Sequence, residues 1–254
     1  MEILKKSMYF FVVVIFLSCS GQDTAEDIIK RYMKVIGGRS HIDKIETMVV
    51  KATYFYPDTG NEFKALFYWK RPNLSRVEFN REPKQVIAYN GEKAWTASID
   101  SNTDTLINST ELPDSSPYAV NFKRDPGFEA IIGGPPFNYN SMGITAVLAG
   151  IDTIDGVKAH HLCLTWPDGF EKKYYFNVEN GFFIFEEVKD QKGLIHTSSF
   201  SDYKEIGGLF LPCFRLNKGP LINDKRIVVH QKIVELKTNE QLSDSLFIKP
   251  EKLY

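Results

Sequence analysis

Residues 47–69 read TMVVKATYFYPDTGNEFKALFYW. Met48, Val50, Ala52, Tyr54 and Tyr56 recur at every second position, and beyond the turn signal Pro57-Asp58-Thr59-Gly60 the same period carries Phe63, Ala65, Phe67 and Trp69. Successive side chains on a strand point to opposite faces, so a period of two gathers each set on one face. Two such runs across a short Gly-containing turn predict an antiparallel hairpin with one apolar side. The rhythm continues outward from there. Leu74 to Asn80 sets Val77 and Phe79 against Arg76 and Glu78, Val86 to Tyr89 leads into Asn90-Gly91, and Ala94 to Ile99 carries Trp95. The result is a meander of adjacent strands.

Residues 100 to 142 break the pattern with Asp, Asn, Ser and Pro clusters around a short helical candidate, Gly127 to Ile132, closed by GGPPF. A long irregular segment inside a β domain reads as an insertion or lid. Strand signals resume at Ile144 to Gly150 and then at Ala159 to Trp166, Glu171 to Asn177, Phe182 to Lys189, Leu194 to Tyr203, Leu209 to Asn217 and Arg226 to Leu236. Most are separated by Gly turns. Evenly spaced strands of this number imply a strongly curved sheet or barrel, because a flat sheet would expose long edges. The expectation is a mainly β domain over 24–254: a half-open, strongly curved antiparallel β-barrel of about eleven strands with a helix or two.

Upstream, TAEDIIKRYMKVIGG (24–38) has the marks of a helix capped by Thr24 and stopped at Gly37-Gly38. Ile28, Ile29, Tyr32, Met33 and Ile36 recur at helical spacing, which gives it one apolar face to lay on the sheet. His41 to Ile45 is expected to add one more turn. Before it, Lys5 and Lys6 precede the apolar run Met8 to Leu17, which ends at Ser18-Cys19. Ten residues rise only about 15 Å as a helix, against a hydrocarbon core of about 30 Å, so the segment reads as a signal peptide (1–18) rather than a permanent span. FLSC resembles the site at which bacteria acylate a cysteine, with Phe16 departing from the usual Leu. That assigns Cys19 as the lipidated N-terminus, residues 19–23 as a tether and, from Ser20, the outer membrane as destination. Ordinary cleavage without a lipid is the alternative.

The chain has 43% hydrophobic residues, 19 Phe, 12 Tyr and 3 Trp, and a net charge of −1, so a polyanion-binding surface is not indicated and nucleic acid is not an expected partner. With Cys19 taken by lipid, Cys163 and Cys213 stay available. An oxidising compartment allows them to pair, and two separate buried thiols are the other reading.

Several phrases in order resemble the outer-membrane lipoprotein-sorting family with the LolA/LolB-like fold, in a diverged lipoprotein form: KVIGG, YNGEKAW, GIDTIDGVKAHHLCL, YYFNVENGFFIFEE, SDYKEIGGLFLP and LSDSLFIKP. The resemblance implies a half-open barrel whose mouth is covered by helices, with an aromatic and aliphatic cavity for acyl chains of lipoprotein or lipid. Cys19 would give this chain the anchored arrangement, facing the periplasm. Arg76 is the positional candidate for the family's gating arginine. Alternation along the strands nominates Val50, Ala52, Tyr54, Phe63, Ala65, Phe67, Val77, Phe79 and Trp95 as cavity wall, and Phe128, Ile131, Ile132 and Phe137 as lid.

Motifs for a nucleophile, a zinc ion, a phosphate loop or a dinucleotide are absent from the sequence, so no enzyme activity and no cofactor are expected. His160 and His161 alternate across a strand and cannot readily share an ion. Asp100, Asn102, Asp104 and Glu111 occupy calcium-loop positions, but Thr105 stands where that loop needs Gly and a strand precedes it, which favours a solvated turn. Glu186-Glu187 and Glu171-Lys172-Lys173 likewise alternate and read as solvated surface. The function expected is a non-enzymatic binder of acyl chains; the rival is an interaction lipoprotein whose aromatic interior is simply filled.

Overall fold

The computed structural model describes residues 23–222 and 225–251. The signal peptide, Cys19 and all of the tether except Asp23 lie outside the described residues. Among the described residues, thirteen strands form one antiparallel sheet. Six of them, β1 (Thr47–Tyr56), β2 (Asn61–Lys70), β3 (Leu74–Asn80), β4 (Lys84–Tyr89), β5 (Ala94–Ile99) and β6 (Leu106–Glu111), step by hairpins to one edge. The rest begin at the other edge and return: β7 (Thr145–Ile154), β8 (Val157–Thr165), β9 (Glu171–Asn177), β10 (Phe183–Lys189), β11 (Ile195–Ile206), β12 (Leu209–Ile222) and β13 (Lys225–Thr238). β13 pairs with β1, and β6 and β7 are the two edge strands among the described residues. The expected mainly β, strongly curved sheet is present, with two corrections: there are thirteen strands instead of about eleven, and the barrel does not close. The strand that falls in no expected strand segment is β6, inside the stretch read as irregular; its sequence LINSTE is polar and mostly exposed, as a short edge strand tolerates.

The depth of the curl follows from two tryptophans. Trp69 on β2 donates its indole N–H to the Pro126 carbonyl at 2.8 Å, and Trp166, just past β8, donates to the Arg124 carbonyl at 3.2 Å. β2 and β8 are seven strand steps apart in the sheet, roughly 34 Å if it were flat. Carbonyls two residues apart bind both, so the sheet wraps until its two wings meet the segment crossing between its edges.

That crossing segment and the N-terminal helices fill one end of the concave side. α1 (Ala25–Val35) begins with the expected capping box: Thr24 Oγ1 accepts the Asp27 N–H at 3.2 Å, and Asp27 Oδ2 accepts the Thr24 N–H at 3.0 Å. Its apolar face buries Ile28, Ile29, Tyr32 and Met33 against Leu162, Tyr174, Phe176 and Phe183 of the sheet. α2 (Arg39–Ile42) is a short turn that begins two residues before the one expected over His41 to Ile45. In the crossing segment α3 (Pro117–Arg124) and α4 (Glu129–Ile132) form. α4 matches the helical candidate. α3 was not anticipated, although Ser116 as N-cap before Pro117 at the first helical position is its local signal.

The convex face is crossed by the C-terminal residues 239–251, which take hydrogen bonds from one strand after another. Thr47 of β1 donates to the Glu240 carbonyl, Lys70 of β2 to Leu242, Arg76 of β3 to Leu246, Trp95 of β5 to Phe247 and Ser109 of β6 to Pro250, all at 2.7–2.8 Å. Phe247, in the 3₁₀ turn Asp244–Phe247, is fully buried by this strap.

Candidate functional site

Cross-strand register fixes which side chains face inward. Tyr54 stands opposite Phe63, Ala52 opposite Ala65, Val50 opposite Phe67, and Met48 opposite Trp69. The same face continues through Phe67 with Val77 and Ala65 with Phe79, then Val77 with Ile87 and Phe79 with Gln85, and on to Thr96 opposite Ile87. Directly opposed residues share a face, so this is one concave surface.

At the end beneath α1 and α4 that surface is packed solid. At the other end it is open, with a hollow of about 520 Å³ lined by Tyr54, Tyr56, Phe63, Phe79, Arg81, Gln85, Ile87, Thr96, Tyr118, Asn217 and Val229. Tyr54 and Phe63 stack at 5.1 Å with their planes 2° apart, and Phe79 meets both edge-on at 6.2 and 5.9 Å, so the floor is a preformed aromatic platform. Burial pushes the Tyr54 phenol up to about 12, against the nearby charge of Arg215, so it stays a neutral donor at physiological pH.

Of the nominated wall residues, Tyr54, Phe63 and Phe79 line the hollow. Val50, Ala52 and Ala65 lie on the same face but are buried beneath other side chains, and Phe67 and Val77 are partly buried on it. Trp95 is a correction. It pairs with Ala88 and Glu111, one residue out of phase with Thr96, and so sits on the convex face with Val86, Ala88 and Ala97 beneath the C-terminal strap. Arg76 is likewise on the convex face: its Nε meets Glu78 at 2.7 Å, its Nη1 the Leu246 carbonyl at 2.8 Å, and its guanidinium lies 5.5 Å from the Trp95 ring. Its position removes it as a gate.

The nominated lid residues Phe128, Ile131, Ile132 and Phe137 are all buried in the main core, wedged between α1 and the sheet. Phe128 packs edge-on against Trp69 at 5.3 Å, and Phe137 lies 6.2 Å from Tyr32. They plug the packed end and leave the hollow uncovered. The Gly133-Gly134 pair makes this possible: both have positive φ (89° and 118°), the Gly133 carbonyl accepts the Tyr32 hydroxyl at 3.1 Å, and a Cβ on Gly134 would fall 2.9 Å from the Tyr32 ring. The Glu129 carboxylate, buried, accepts the Phe137 N–H at 2.8 Å and ties the loop back on itself.

A polar row, missed in the sequence, crosses the concave face from β9 to β12. Lys172 pairs with Glu186 at 2.9 Å, with side chains 15% and 13% exposed, and Ser198 donates to Asn217 at 3.0 Å at the margin of the hollow. Burial alone would raise the Glu186 carboxyl, but the charges of Lys172 and Arg215 outweigh it and hold it below its ordinary value. Burial opposes the Lys172 charge, and Glu186 and Asp125 overcome that, so its value is raised. Asp125 is different: burial raises it despite Lys172, and its Oδ1 has no hydrogen-bond partner among the described residues. The reading of Glu171-Lys172-Lys173 and Glu186-Glu187 as solvated surface is therefore half right, because alternation sends Lys172 and Glu186 inward and Lys173 and Glu187, paired at 2.8 Å, outward.

Cys163 and Cys213 are both free thiols. Cys213 points inward beside Ile131 and Ile132, whereas Cys163 alternates with the inward Leu162 and Leu164 and faces outward, four strand steps away. The expected possibility of a disulfide between them is overturned by that placement. At residues 100–105, Asp100 Oδ1 accepts the backbone N–H groups of Asn102 and Thr103 at 2.9 and 3.0 Å, a turn that closes the β5–β6 hairpin. His160 lies 3.7 Å from Asp23, and His161, on the other face, lies 3.0 Å from Asp152.

No family model matches the sequence, and no curated protein does. Solved structures do match in shape. A LolA superfamily protein from Nitrosomonas europaea is 16% identical, with a TM-score of 0.60 over 90% of this chain and 99% of its own. A DUF1329 family protein from Desulfovibrio piger is 15% identical, with a TM-score of 0.60 over 89% and 98% of the two chains. An outer membrane lipoprotein-sorting protein domain from Vibrio parahaemolyticus is 8% identical, with a TM-score of 0.56 over 88% and 97%. Nearly the whole length of each is matched, and the chain has the LolA-like fold.

Proposed function

We propose that the protein is an exported, non-catalytic binder of acyl chains, anchored to the outer membrane through Cys19 and facing the periplasm, where it takes part in lipid or lipoprotein handling. The observation that carries this reading is the open aromatic hollow of about 520 Å³ at the uncovered end of the concave face. Its size falls within the roughly 300–1,000 Å³ of small-molecule sites, and such sites are mainly apolar with a few placed polar groups. Burying a chain there returns about 0.8 kcal/mol per methylene. Export fits the signal-peptide layout of residues 1–18, and the fold shared with a lipoprotein-sorting domain adds weight.

Native mass spectrometry of protein extracted from membranes is expected to find a bound lipid, and Phe63→Glu, which puts a charge on the aromatic platform, is expected to remove it. Consistently empty wild-type protein that also takes up no fluorescent fatty acid would overturn the reading. A second reading, a tethered scaffold with a filled interior, draws on the tight packing beneath α1 and α4. It predicts that empty result.

A further inference from the structure

Arg81 follows β3 at the rim of the hollow and, unlike four other arginines of the described residues, has no carboxylate partner; Arg31 and Arg215 also lack one but donate to the carbonyls of Glu179 and Ile131. Arg76 meets Glu78, Arg124 meets Asp168, Arg39 meets Asp43 and Arg71 meets Glu46. The Arg81 guanidinium lies over Phe63 at 3.9 Å from the ring centre and 5.5 Å from that of Phe79. Among the described residues it has no carboxylate within ion-pair distance and no hydrogen-bond acceptor. Among the described residues it is also the one formally charged side chain in the lining of the hollow.

Cation–π contact with two rings holds the group in place while leaving its N–H donors free, which lowers the ordering cost of receiving an anion. Carboxylates and phosphates match that fork with two parallel hydrogen bonds. Directly below lies the apolar floor. An unpaired cation at the mouth of an apolar hollow with no carboxylate in its wall is complementary to one kind of molecule, an acyl chain ending in an anionic head.

We infer that the hollow selects anionic single-chain amphiphiles, with the chain on the Tyr54, Phe63 and Phe79 platform and the head on Arg81. This rests on the hollow being the ligand site and adds what it discriminates. A fatty-acid carboxylate and a lipid phosphate share the required chemistry.

The test is isothermal titration of the folded protein with laurate, dodecyl phosphate, monolaurin and dodecyltrimethylammonium, each below its aggregation limit. Laurate or dodecyl phosphate is expected to bind roughly ten-fold tighter than monolaurin, with the cationic amphiphile weakest, and the preference is expected to shrink as salt rises. Whichever anion binds tighter identifies the head as carboxylate or phosphate. Arg81→Gln should bring the anions to the level of monolaurin measured on the same variant, and Arg81→Lys should retain part of the preference. Equal wild-type affinities for the anionic and neutral heads, or a preference that survives Arg81→Gln, would overturn the inference and leave the hollow as an unselective acyl site. Should none of the four bind, the hollow is not a ligand site and both readings fall.

Discussion

At the scale of single residues, the buried charges of the concave face divide into two groups with opposite pH behaviour. Glu186 has a folded value below its ordinary 4.5, so its contribution to stability is present above about that pH and lost as pH falls through the folded value. Asp125 has a folded value above its ordinary 3.8, so its contribution is present below that pH and lost as pH rises through the raised value. Above that point Asp125 is a desolvated carboxylate whose Oδ1 has no partner, which costs stability. Asp125→Asn is therefore expected to raise Tm at pH 8, by roughly 2–4 °C for each kcal/mol relieved, and to leave it nearly unchanged at pH 3. Thermal unfolding followed by circular dichroism at the two pH values checks this; an equal shift at both would show that charge is not the cause. The Lys172–Glu186 pair is not evidence of great stability in itself, since its attraction is offset by the desolvation of both groups.

Among the elements, the C-terminal strap is the one whose role the sequence hid. Residues 94–99 read AWTASI, and taking the bulkier set as the inner face would place Trp95 inside. Register places Thr96 inside instead, because the strap supplies a second apolar environment on the convex side and satisfies the indole N–H through the Phe247 carbonyl at 2.8 Å. Alternation along a strand tells which residues share a face; it does not tell which face is covered. Phe247→Ala is expected to cost about 3–5 kcal/mol, as for other fully buried aromatic side chains. Because Phe247 seals Trp95, the lost stability should come with faster proteolysis within residues 239–251 and greater quenching of Trp fluorescence by acrylamide. A loss below about 1 kcal/mol, with protease resistance intact, would show that the strap is an ornament to β3–β6 and not a part of their packing.

Across the whole molecule, curvature decides what comes together. The two wings of the sheet meet residues 124–126 through Trp69 and Trp166, while alternation and strand order separate Cys163 from Cys213, on opposite faces and about 19 Å apart along the sheet. Protein isolated without reductant is thus expected to show both thiols by alkylation after unfolding in denaturant, and a Tm that does not move on adding dithiothreitol. A mass lower by two hydrogens, with a Tm that falls on reduction, would require a different strand order. Burial raises both thiols above their ordinary value, which slows adventitious oxidation as well.

What the sequence determined by itself is whatever depends on near neighbours in the chain. The period of two from Thr47 onward, the Gly turns, the capping box at Thr24 and the inward set Tyr54, Phe63 and Phe79 were legible because hairpin register follows from turn length and alternation. The tertiary structure alone decided that one end of the concave face is filled by Phe128, Ile131, Ile132 and Phe137 while the other stays open, that Lys172 and Glu186 face inward together, and that Arg81 lies on the ring of Phe63 without a carboxylate. Those outcomes depend on how far thirteen strands curl and on which segments then reach the surface so formed, a sum of small twists and distant contacts that no local pattern encodes.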